Sequence, residues 1–202
     1  MKLFMYKLLF KQFAIVAFII LAILSIVFGS VLPWMKARLY IDALVDAQTG
    51  KIRTPDDFKE KFNRSLDFYS LIGDEEIVKF LGSDVINSTI AQNQQNPQIK
   101  QLVELLADYI APHLLLNDTR HILIGARLYT ILWQISGDES SFGKAEFYYK
   151  KAYEIGPKLP PVLYGMFDFY KLKGDKENMK KIGEEILKYW PEDENIKKSI
   201  QQ

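Results

Sequence analysis

The chain contains no cysteine in its 202 residues. That excludes a disulfide framework, a thiolate metal site and a lipid-modified cysteine anchor. Histidine is nearly absent as well, with only His113 and His121. No glycine-rich phosphate loop, nucleophile elbow or metalloprotease helix occurs. Charge of one sign is also missing in bulk: 26 Lys and Arg against 25 Asp and Glu leave +1 overall. Without a basic block there is no footprint for nucleic acid. Runs of alternating Val, Ile and Thr bounded by hairpin turns do not occur, so a sheet is not expected. These absences argue against an enzyme, and no catalytic, cofactor-binding or metal-ligating residue is assigned.

Charge is also missing from one continuous stretch, Phe13–Leu32, and there the lack is informative. A helix of those 20 residues reaches roughly 30 Å, the hydrocarbon thickness of a bilayer. The run exceeds a signal-peptide core, and Phe28-Gly29-Ser30 places a ring where cleavage needs a small residue. We therefore read a retained signal anchor, in preference to a cleaved signal peptide or a buried core helix. Lys2, Lys7 and Lys11 precede the run; Trp34, Lys36, Arg38 and Tyr40 follow it at headgroup depth, with Asp42 and Asp46 just beyond. The lysine excess on the first side favours a cytoplasmic N-terminus in the plasma membrane and an extracytoplasmic C-terminal part. The expected organisation is a flank over 1–12, a transmembrane anchor over 13–32 and a juxtamembrane helix with linker over 33–53. An irregular helical region over 54–118 and a repeat region over 119–202 complete it.

Helical signals fill the rest. Thr54-Pro55-Asp56-Asp57 combines a hydroxyl cap, a proline at the first helical position and an acid three after the cap. Phe58, Phe62, Leu66 and Tyr69 then form one apolar stripe. Asn96-Pro97 repeats the signal ahead of Ile99, Leu102, Val103, Leu106, Tyr109 and Ile110.

Spacing becomes periodic further on. Pro157 and Pro191, Ala145 and Met179, Tyr149 and Gly183, and Ala152 and Ile186 are each one 34-residue step apart. The segments Lys144–Tyr153 and Gly174–Met179, each running on to its proline, resemble the tetratricopeptide (TPR) repeat over Arg120–Glu192. The resemblance implies an all-α solenoid of helical hairpins in which small residues seven apart allow close packing. Ala145 and Ala152 supply them in the first copy, whereas Met179 and Ile186 stand there in the second. Gly137-Asp138 lies three residues further upstream than Gly174-Asp175 does, which places an insertion around Glu139–Phe142. A softer resemblance covers Leu32-Pro33-Trp34 and Ala37-Arg38. It is to the C-terminal TPR tail of O-antigen ligase and polymerase-like membrane proteins, whose catalytic loops are not represented here.

The expected function is a membrane-anchored TPR-like scaffold for a protein or peptide partner, in cell-envelope assembly. The alternative is an accessory or detached tail of such a glycan enzyme. In the repeat resemblance the first helix of each pair lines a concave face. On that register Tyr129 with Trp133, and Phe167 with Lys171, make an aromatic and basic strip flanked by Arg127 and Lys173, suited to an acidic or C-terminal peptide. His113 and His121 with Asp118 are read as surface or capping residues. The sequons at Asn63, Asn87 and Asn117 are read as chance.

Overall fold

The computed structural model describes residues 2–201, with side-chain surroundings from Phe10 onward. Met1 and the side chains of Lys2 and Lys7, which carry most of the N-terminal charge argument, lie outside the described residues. The fold is all-α, with no strand among the described residues. It divides into two compact units, residues 1–77 and 78–202.

The first unit begins with α1 (Lys2–Ile26) and α2 (Leu32–Gln48), joined through a π-helical turn at Val27–Val31 into one helix. Anchor and juxtamembrane helix meet at Pro33, and the proline explains why a widened turn stands just before it. Proline cannot donate to the carbonyl four residues back, and its ring crowds that carbonyl. The π turn absorbs the mismatch, with Leu32 N–H donating to Val27 O. An 18-residue window of this helix has a mean hydropathy of 3.0, and none of it is buried within the chain. One helix near the N-terminus is thus long and apolar enough to span a membrane.

The next helix, α3 (Pro55–Leu66), has the expected capping box. Asp57 N–H donates to Thr54 Oγ1 at 3.1 Å, and Thr54 N–H donates back to Asp57 Oδ2 at 3.0 Å. Phe58 and Phe62 face α2, and Phe62 meets Tyr40 with ring centroids 5.9 Å apart. The apolar stripe stops at Leu66. Tyr69 falls in the following loop and is 65% exposed, so it does not belong to the buried stripe. Lys36 also departs from expectation. It is only 1% exposed and does not face headgroups as a flanking charge would. Its Nζ donates to Phe68 O at 2.6 Å and Leu66 O at 3.2 Å and pairs with Asp74. The lysine thus serves as a cap on the C-terminal end of α3, where cations suit the helix dipole.

Among the described residues, a bent helix and six further α-helices build the second unit. Helix α4 (Asp74–Phe80), which crosses the boundary, continues through a π turn at Leu81–Ile86 into α5 (Asn87–Gln92). After α6 (Ile99–Ile110) come α7 (Thr119–Ser136), α8 (Glu139–Ile155), α9 (Pro160–Lys173), α10 (Lys176–Tyr189) and α11 (Glu194–Ile200). Asn96-Pro97 is a turn rather than a cap: Asn96 Oδ1 accepts from Gln98 N–H at 2.9 Å, and α6 starts beyond it.

Helices α7 and α8 pack side by side, as do α9 and α10, and each pair turns on the same device. A glycine in the left-handed region ends the first helix (Gly137, φ 68°; Gly174, φ 76°), and the next aspartate caps the second. The three extra residues of the first copy are absorbed as helix, because α8 has 17 residues and α10 has 14. Ala145 and Ala152 are fully buried, and so is Ile186, with Met179 close to it. Close approach in α10 has moved to Gly183, between those two positions. A Cβ there would stand 2.5 Å from Ile200 and 3.1 Å from Phe167.

Phenols tie neighbouring helices together. Tyr153 donates to Glu185 at 2.7 Å, Tyr164 to Asp193 at 2.6 Å and Tyr170 to Glu146 at 3.1 Å. The accepting carboxylates of Glu185 and Asp193 push the Tyr153 and Tyr164 phenols up to about 12. These bonds account for three of the tyrosines of the second unit.

Candidate functional site

The site is a cleft of about 220 Å³ in the second unit. One face of α7 forms its floor: Arg120, Leu123, Ile124 and Arg127 recur at three- and four-residue steps and so lie on one side of the helix. Tyr149 of α8 and Pro161 and Gly165 of α9 make one wall. Gly82, Ser83 and Asn87, from the π turn and the start of α5, make the other.

Helix α7 begins here because Asp118 caps it, accepting from Arg120 N–H at 2.8 Å. The same carboxylate holds the Arg120 guanidinium, with Nη2 to Oδ2 at 2.6 Å. This contact, aided by the backbone bond, lowers the Asp118 carboxyl from its ordinary 3.8 to about 2. Because the folded pKa is depressed, the stabilisation is complete above about pH 4 and is lost as pH falls toward about 2. Arg120 is exposed, so solvent screening reduces the effect to about 1 kcal/mol. Acid titration of the wild type should show this loss by circular dichroism, and Asp118→Asn should flatten it.

Arg127, two turns further along, is exposed and makes no ion pair among the described residues. Burial pushes the Tyr149 phenol up from 10, while its Thr130 contact and the Arg127 charge act in the opposite direction. On the other wall Asn87 Nδ2 donates to Ser83 O at 2.6 Å. That bond fixes the amide orientation and leaves Asn87 Oδ1 buried without a hydrogen-bond partner. A buried acceptor with no donor carries a desolvation penalty of about 1–3 kcal/mol. The cleft therefore offers a cation and apolar contact from Leu123, Ile124 and Pro161. At about 220 Å³ it falls below the roughly 300–1,000 Å³ of whole small-molecule sites, so it suits a chain end or a side chain.

Of the six residues expected to form the strip, Arg127 alone lines this cleft. Tyr129 is 5% exposed and stacks on Tyr148 with centroids 5.7 Å apart. Phe167 is 2% exposed and packs against the α10 backbone at Gly183. Both are core residues, so neither presents its ring to a groove. Trp133 is half-buried against Phe142 and Phe169. Lys173 lies 4.3 Å over the Phe142 ring and 5.5 Å over Trp133, and it pairs with Glu139. Lys171 is exposed and reaches Ser199 Oγ at 3.2 Å. Helical spacing located the faces but not which of them neighbouring helices cover.

The histidines do not gather with Asp118. His121 is fully buried in α7, correcting its reading as a surface or capping residue, and its Nδ1 accepts from Leu115 N–H at 3.3 Å. His113 lies beside Tyr109, 6.1 Å between ring centroids. Among the described residues no cluster of three or more His, Asp or Glu is arranged to hold a metal ion. Asn87 and Tyr149 were not identified as site residues by the sequence. No local motif marks them, since the cleft is assembled from separate segments between residues 82 and 165. No family model matches the chain, and no curated protein matches it.

Proposed function

We propose that this chain is a membrane-anchored, non-catalytic scaffold whose TPR-like hairpins capture an acidic or C-terminal peptide segment of a partner protein in the envelope. The observation that carries the reading is the exposed Arg127 guanidinium, without an ion pair among the described residues, on the floor of one small cleft. A peptide terminus has the complementary group, a carboxylate for the cation. The two equivalent hairpin turns and the buried Ala145 and Ala152 support the repeat register. The exposed apolar helix supports a retained anchor, and the N-terminal lysine excess supports a cytoplasmic N-terminus.

Two experiments test this. A random peptide library displayed with free C-termini, panned on the full chain in nanodiscs, should enrich acidic C-terminal sequences. Arg127→Glu should weaken their capture at least about tenfold while circular dichroism stays unchanged, since the residue is exposed. Enrichment without sequence bias, or binding indifferent to that variant, removes the cleft as the capture site. For topology, protease added to intact spheroplasts should digest the region after Asp42. Its full protection, with loss of an N-terminal tag, reverses the orientation.

A further inference from the structure

The loop between α3 and α4 carries Tyr69, Leu71 and Ile72, which are 65%, 64% and 58% exposed. Three large apolar side chains within four residues of a loop are unusual on a water-facing surface. Their outward set is built in. The Ser70 side chain turns inward, where its Oγ donates to Ile72 O at 2.8 Å and accepts from Ile72 N–H at 3.4 Å. That local turn projects the residues around Ser70 away from the unit.

The position of the loop is fixed by Lys36, which grips it at Leu66 O, Phe68 O and Asp74, with its Cδ 3.8 Å from where a Gly73 Cβ would lie. Lys36 is only four residues past Leu32, the end of the apolar run, which is about 6 Å along the helix axis. Helical side chains lean toward the N-terminus, here toward the apolar run, so the ammonium and the loop it holds sit close to that end. The polar layer of a bilayer leaflet is about 5–8 Å deep. On the other side of the helix, at the same level, exposed Trp34 lies under the Arg38 guanidinium at 5.8 Å, the arrangement of an interfacial aromatic anchor.

We propose that the Tyr69–Ile72 loop is a second membrane contact, docked into the headgroup and upper acyl layer of the leaflet from which α2 emerges, with Lys36 as the pin that sets its depth. The occupant of this surface is lipid, because the loop is continuous with the end of the candidate span. The first unit would then be a membrane-seated collar held at two points, which limits rocking of α2. This rests on the reading of α1 as a membrane span.

The absence of native cysteine allows single-site labelling of the full chain in proteoliposomes. An environment-sensitive fluorophore is placed at Leu71→Cys, with Ile20→Cys reporting the span and the exposed Lys51→Cys, just past the end of α2, reporting water. Nitroxide lipids and aqueous iodide are the quenchers. The expected result is a blue-shifted Leu71 label quenched severalfold more by shallow nitroxide lipid than the Lys51 label and shielded from iodide. Adding Lys36→Met should reduce that lipid quenching. Iodide access at Leu71 with deep-lipid quenching at Ile20 overturns the loop contact while leaving the span intact. Shielding from both quenchers places a protein, not lipid, on the loop and also overturns it. Lipid quenching unchanged by Lys36→Met overturns the pin. Loss of lipid quenching at Ile20 itself removes the span and the proposal with it.

Discussion

Replacing Lys36 with methionine is expected to destabilise the α2–α3 unit by about 2–4 kcal/mol, because hydrogen bonds to a charged group are worth about 1.5–3 kcal/mol each. Methionine keeps much of the apolar stem but leaves Leu66 O and Phe68 O without their buried donor. The ion pair itself adds little to this loss, since Asp74 is 64% exposed and solvent screens the contact. The measurement is hydrogen exchange of α3 amides in nanodiscs. Protection over Phe58–Leu66 should fall by about one and a half to three orders of magnitude, because about 1.4 kcal/mol corresponds to a factor of ten. Unchanged protection would mean that α3 is held by Phe58 and Phe62 alone.

Phe169→Ala should cost the second unit about 3–5 kcal/mol, the range for truncating a buried aromatic. Phe169 is the hub of the ring cluster, with centroids 4.7 Å from Phe142, 5.1 Å from Tyr149, 5.5 Å from Tyr170 and 6.2 Å from Trp133. Removing it opens a cavity among rings from α7, α8 and α9 and unsupports Lys173, which rests on two of them. Tyr149 also lines the cleft, so peptide capture should decline along with stability. Thermal unfolding of the full chain in detergent checks this, with Phe169→Leu as the milder comparison. A melting temperature unchanged in both would show that the hairpin interface does not depend on the cluster.

The readability of the fold from sequence followed the range of the interactions. The capping box at Thr54, the Gly-Asp turns and the apolar run are local, and each is written in a few adjacent residues. Tyr69 was misplaced because helical spacing continues past the end of α3, whereas the chain leaves the helix at Asp67. Lys36 reads as a flanking charge until residues 30 and more away supply carbonyls to it. The strip at Tyr129, Trp133 and Phe167 fails for a related reason. Periodicity tells which side chains share a face, and only the neighbouring helix decides whether that face is covered. Arg127 was legible as a basic residue flanking the first-helix face on the repeat register, and an exposed side chain is free to serve there. Asn87 was not, since its place in the cleft wall appears only when the start of α5 is set near α7.

The most direct test of the capture reading is calorimetric titration of the full chain in nanodiscs with two versions of one enriched peptide, identical except for a free or an amidated C-terminus. The free acid should bind at least about tenfold more tightly, a difference of about 1.4 kcal/mol. That preference should vanish in Arg127→Glu. Equal affinity for acid and amide, with the preference absent already in the wild type, would contradict a carboxylate held at Arg127.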